Sequence, residues 1–155
     1  MTRQLILTLA VVTTGLGAGV YATYALAVMP GLARTDDRTF VTAFAAIDRA
    51  IVSPVFLGGV FVGAPVLLLL TAVTGATRRP ALAWTALALV VAATILTVVV
   101  NVPLNDALKA AAALPDVDPG PVRAAFHEGR WAASNAVRTL LEVGALVLLF
   151  LAGRA

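Results

Sequence analysis

The 155-residue chain contains no cysteine. Disulfides, thiolate metal centres and cysteine nucleophiles are therefore excluded. Its one histidine, His127, cannot build a multi-histidine metal or haem site within a single chain. Neither a metal nor a cofactor is expected. Charge is scarce too: 12% of residues are Asp, Glu, Lys or Arg, against about 25% in a soluble domain. Eleven Lys and Arg outweigh eight Asp and Glu, for a net charge of +3. No basic run is interleaved with aromatics, so the excess gives no nucleic-acid signal.

What fills the chain instead is apolar: 61% of residues are hydrophobic and the mean hydropathy is +0.98. Lipid is the natural solvent for such a surface. Four apolar stretches run over about 5–29, 54–73, 81–102 and 131–151. Roughly 20 helical residues cross the ~30 Å hydrocarbon core. The stretches lack the two-residue alternation of barrel strands, so helices are expected. Residues 1–155 then read as one all-α domain, a four-helix transmembrane bundle. Met1-Thr2-Arg3 could open a signal peptide, but the apolar run behind it is too long, and it reads as a retained span.

Two long connections stand on one side of the bundle. In residues 33–51, Phe40, Phe44, Ile47 and Ile51 form a helical apolar stripe, predicting an amphipathic helix on the membrane or capping the bundle. In residues 103–130, Pro115, Pro119, Gly120 and Pro121 divide a helical extension from a loop and a new helix. Pro30-Gly31 reads as the end of the first span. An even number of spans puts both termini on the other side, with Arg3, Arg78, Arg79 and Arg154 and no acidic side chain. Short basic loops weigh most in the positive-inside rule, which places the termini in the cytoplasm and the long connections outside.

Polar residues inside spans are costly and mark candidate sites. In the fourth span, His127, Trp131, Asn135, Arg138 and Glu142 recur at three- and four-residue intervals, hence on one helix face. Arg138 and Glu142, one turn apart, can pair. In the third span, Thr94, Thr97, Asn101 and Asn105 form a matching stripe. Up-and-down threading brings both stripes to the same depth, with Tyr21, Tyr24 and Asp48 on that side. One polar pocket in the outer half of the bundle is expected, open toward the long connections, with Trp131 at its mouth.

Each residue also has a structural alternative. Arg138–Glu142 can be a buried pair holding helices together. Asn101 and Asn105 can bond across helices. Tyr21, Tyr24 and Trp131 can be interface anchors. His127 can be a solvated loop residue, and Asp48 beside Arg49 part of a solvated face.

At these residues the chain resembles the anthrone oxygenase-like family, also known as domain of unknown function 1772. Val28-Met29-Pro30-Gly31-Leu32 is similar to the motif closing that family's first span. Ala46-Ile47-Asp48-Arg49-Ala50-Ile51, with Pro54 and Phe56, is similar to the entry into its second. Asn101-Val102-Pro103-Leu104-Asn105 looks like its Asn-x-Pro-Leu-Asn signature, and Trp131, Asn135, Arg138 and Thr139 like its Trp-x-x-x-Asn-x-x-Arg-Thr signature. Many relatives carry Asn at the place of Asp48 and His at the place of Ala136. Chemistry that uses that histidine is not available here.

The resemblance implies cofactor-independent oxidation of a lipophilic anthrone-type aromatic. Asn101, Asn105, Asn135 and Arg138 would stabilise the enolate, Glu142 would be the base, and Tyr21, Tyr24 and Trp131 would hold the substrate. The other reading is a non-enzymatic membrane protein that binds a small hydrophobic molecule or serves as an accessory subunit. Membrane lipid is the expected partner in both, and self-assembly stays open.

Overall fold

The computed structural model describes residues 2–154, which are helical nearly throughout. Four helices are long and apolar enough to cross a membrane: α1 (Thr2–Leu32), α3 (Phe56–Val73), α4 (Pro80–Ala112) and α6 (Glu128–Gly153). Two shorter ones, α2 (Asp37–Ile51) and α5 (Pro119–Phe126), lie in the long connections. The spanning helices form a closed ring in the order α1, α3, α4, α6. Toward the termini the ring is filled by Ala10, Ala64, Leu68, Ala86, Val90, Ala145 and Leu149, small and large apolar side chains from all four helices. Gly17 of α1 lets side chains of α3 and α6 close in: a Cβ there would meet Val60 and Glu142. The pairs Gly15/Gly19 and Gly59/Gly63 form no such seam, since a Cβ on Gly19 or Gly59 meets nothing.

Leu26, Leu140, Val99 and Phe150 are exposed on the outside of the ring, where lipid would receive them. In the short turn between α3 and α4, the Thr77 hydroxyl donates to the Ala152 carbonyl, satisfying an orphan acceptor at the end of α6.

The opposite end is closed by a cap. Asp36 starts α2 by accepting the Thr39 N–H at 2.9 Å. Asp118 starts α5 by accepting the Gly120 N–H at 3.0 Å, with Pro119 at the first helical position. Both helices turn their apolar faces onto the outer turns of α4 and α6. Phe40 and Phe44 of α2, Phe126 of α5, Leu108 of α4 and Trp131 of α6 make one buried cluster with Tyr24. Arg123 locks the two connections together. It donates to Glu128 at 2.7 Å, Asp37 at 3.1 Å and the Thr35 carbonyl at 2.8 Å, and stacks on Phe40 at 4.4 Å.

One expectation changes here. α2 caps the bundle with Phe40, Phe44 and Asp48 buried, while Ile47 is exposed. The helix is rotated because Asp48 finds polar partners on α4. α1 runs through Pro30 and ends at Leu32, and the helical extension expected beyond Val102 is continuous with α4 as far as Ala112. Both pass through a proline, because each carries a wide i→i+5 turn just before it, at Tyr24–Val28 before Pro30 and Thr97–Asn101 before Pro103. α3 does the same at Phe56–Val62 before Pro65. A proline inside an α-helix clashes with the carbonyl four residues back, and the widened turn relieves that clash.

Candidate functional site

All three widened turns face one cavity. It occupies about 150 Å³ beneath the cap, and the walls come from all four spanning helices plus the end of α2. Most of the lining is apolar: Ile51, Phe56, Leu57, Phe61 and Val98 among others. The polar lining is Tyr21 and Tyr24 from α1, Asp48 from α2, Thr97 and Asn105 from α4, and Asn135 and Arg138 from α6, with the Trp131 indole beside them. A widened turn re-aims the side chains it carries, and such turns recur at functional sites. Here they aim Tyr24, Phe56, Phe61 and Thr97 inward.

Arg138 is the centre of the polar wall. It is 4% exposed. Its Nη1 donates to Thr97 Oγ1 at 3.0 Å and its Nη2 to Asn135 Oδ1 at 2.9 Å. The guanidinium sits over the Tyr21 ring at 4.5 Å and the Trp131 ring at 5.5 Å. Its Nε has no partner. The expected pair with Glu142 does not form: among the described residues the ion pairs involve Lys109 and Arg123, not Arg138. Helical side chains lean toward the N-terminus of their helix, so Arg138 reaches outward to Asn135, away from a residue one turn deeper. Glu142 instead lies in a separate small cleft beside Gly17, Val60 and Thr94, with its Oε2 unpartnered.

The asparagines divide. Asn135 donates to the Tyr21 carbonyl at 3.0 Å while receiving Arg138. Asn101 lies behind the wall, not on it: it donates to the Trp131 carbonyl at 3.3 Å and accepts from Ser134 at 2.7 Å. Asn105 reaches the cavity. Its Oδ1 accepts the Trp131 indole N–H at 2.7 Å and its Nδ2 donates to Asp48 Oδ1 at 2.7 Å. Asp48 Oδ2 meets Lys109 at 2.7 Å.

Tyr21, Tyr24 and Trp131 are therefore buried in the wall and are not interface anchors. Trp131 is packed under the cap against Phe44 and Tyr24, not at a mouth. Asp48, read as a solvated residue, is 5% exposed. The cavity is roofed toward the long connections. Its exposed lining residues are Val52, Leu57, Val98 and Val102, on the α3 and α4 sides. His127 lies on the surface, in a left-handed turn that starts α6. Ala136 is exposed on α6 and does not line the cavity.

The fold and the site together define a multi-pass membrane protein, a capped four-helix bundle with a buried cation in the wall of a mainly apolar cavity. The family described as "Anthrone oxygenase" matches residues 40–148, and the chain belongs to it. That stretch begins in the first turn of α2 and holds every polar wall residue except Tyr21 and Tyr24. No curated protein and no solved structure matches the chain.

Proposed function

We propose that the protein is a cofactor-independent oxygenase of lipophilic, anthrone-type aromatics. One observation carries the reading: Arg138 is a buried cation with no carboxylate at ion-pair distance, facing a cavity lined mainly by apolar groups. Such a cation favours a ligand whose oxygen becomes negative. A cavity of about 150 Å³ takes one aromatic ring. The exposed valine and leucine edge lets further rings extend toward lipid.

An anthrone fits this demand. Its methylene lies between two aryl rings that are conjugated with the ring carbonyl. Loss of one methylene proton moves the negative charge to the carbonyl oxygen, where Arg138 and Asn135 can meet it. The enolate gives one electron to dioxygen, and the resulting radical and superoxide join at the methylene carbon. The peroxide anion takes up a proton from water; loss of the second proton from that carbon, with O–O cleavage and departure of hydroxide, then forms the new carbonyl. Anthrone and dioxygen become anthraquinone and water. Asn101 would act from behind, holding Trp131 and Ser134. Glu142, outside the cavity, is not the base in this scheme.

Purified protein in detergent should consume oxygen with 1,8-dihydroxyanthrone faster than the spontaneous reaction. No excess rate over several polyketide anthrones would remove this reading. A non-enzymatic binder is favoured by a different observation, namely that the Asn101 and Asn135 amides are already bonded to the bundle's own atoms. A binder would hold dihydroxyanthraquinone, quenching tryptophan fluorescence, without oxygen uptake.

The termini are proposed to be cytoplasmic. Arg78 and Ala113 are exposed on opposite ends of the bundle. In this cysteine-free chain, Ala113→Cys should react with an impermeant thiol reagent on intact cells, and Arg78→Cys should not. The reverse pattern would invert the orientation.

A further inference from the structure

We infer that Asp48 is the proton acceptor of the cavity and that Lys109 and Asp106 lead the proton out. The inference rests on the oxygenase reading above. Asp48 is the carboxylate that lines the cavity. It comes from α2 and not from a spanning helix, so the cap supplies it. Its two oxygens have different neighbours. Oδ1 takes the Asn105 amide at 2.7 Å, which in turn holds the Trp131 indole at 2.7 Å, so the carboxylate is oriented by the same side chains that shape the ring-binding wall. Oδ2 meets Lys109 Nζ at 2.7 Å, and Lys109 also meets Asp106 Oδ1 at 3.0 Å. Side-chain exposure rises along this line, from 8% at Asp48 to 21% at Lys109 and 62% at Asp106. The line runs from the cavity through the cap to the surface.

A base buried in a mainly apolar cavity must lose the proton it gains before it can act again. Asp48 takes the methylene proton as the C–H electron pair moves into the ring carbonyl. Lys109 hands one of its own protons to Asp106 and takes the proton of the Asp48 carboxyl, so that it is an ammonium before and after, and Asp106 releases the proton to water. Glu142 has no comparable route: it faces the separate cleft and bonds to no group that reaches the surface.

The step needs no oxygen, so it can be tested apart from the oxygenation. Under argon in D₂O, wild-type protein should speed deuterium exchange at the methylene of 1,8-dihydroxyanthrone. Asp48→Asn keeps the size of the side chain and an oxygen for Asn105, and should slow that exchange by about 100-fold, the scale of general-base catalysis. Fluorescence quenching by 1,8-dihydroxyanthraquinone should persist in this variant, which establishes that the cavity is intact. Asp48→Ala should regain exchange with added formate, a rescue that a purely structural role would not give. Wild-type exchange in Asp48→Asn, or loss of exchange in Glu142→Gln instead, would overturn the assignment and leave the oxygenase reading standing. Asp48-dependent exchange without any oxygen uptake in air would support the assignment and remove the oxygenase reading. Oxygen uptake with no wild-type exchange under argon would overturn the assignment alone.

Discussion

Arg138→Met is expected to lower anthrone turnover by about 100- to 1000-fold, the usual effect of removing one donor to a developing oxyanion. Stability should stay near wild type. Two opposing terms set that balance. Methionine removes a buried cation that meets no carboxylate, and replacing buried charge by an apolar side chain of similar volume often stabilises by about 1–4 kcal/mol. It also strips Asn135 Oδ1 of its donor, a loss of about 1–3 kcal/mol. Thr97 is less affected, because its hydroxyl keeps its bond to the Ala93 carbonyl. Arg138→Lys keeps the charge, but it loses the two-pronged contact to Thr97 and Asn135 and should recover only part of the rate. Oxygen uptake and thermal melting, measured on the same preparations, separate the readings. A fall in melting temperature with unchanged turnover would make Arg138 a structural residue only.

Much of this arrangement could be read from the residues alone. The four apolar runs gave the spans to within a few residues, except that α4 runs ten residues past Val102 to Ala112. Facing stripes on α4 and α6 brought Asn105, Trp131, Asn135 and Arg138 together. Helical spacing alone could not say where each side chain leans. Arg138 and Glu142 share a face, yet one reaches outward and the other does not. Nor could spacing choose between two overlapping stripes on α2: Ile47 and Asp48 compete for burial, and the polar partners that decide for Asp48 lie about 60 residues away, on α4. The widened turns did leave a sequence signal. Pro30, Pro65 and Pro103 stand inside three of the spans and none stands inside the fourth; Pro30, which reads as a helix end, and Pro65 and Pro103, which do not, each follow one of the widened turns that line the cavity.

Phe44→Ala is expected to cost about 3–5 kcal/mol, the range for truncating a buried phenylalanine. Phe44 is 1% exposed and packs on Phe40, Phe126 and Trp131, with ring centroids 6.1, 4.6 and 5.8 Å away. Its position matters as much as its size. Between spanning helices, lipid tails are as apolar as the side chains they replace, so helices associate by packing alone. The cap is different. Its outer face carries Asp37, Arg38, Arg49 and Asp116, all exposed, and its alternative solvent is water. There the hydrophobic effect acts in full, adding a transfer term to the packing term. Leu149→Ala, in the terminal-side core, should therefore destabilise less than Phe44→Ala although both sites are fully packed. The damage should also be local. Trp84 is exposed on α4, so Trp84→Phe leaves Trp131 as the reporter under the cap. In that background Phe44→Ala should red-shift the Trp131 emission and abolish quenching by dihydroxyanthraquinone, with helix content largely kept, because the four-helix ring does not depend on the cap. A wild-type emission and melting curve would mean that the cap is held by the Arg123 contacts instead of the aromatic cluster.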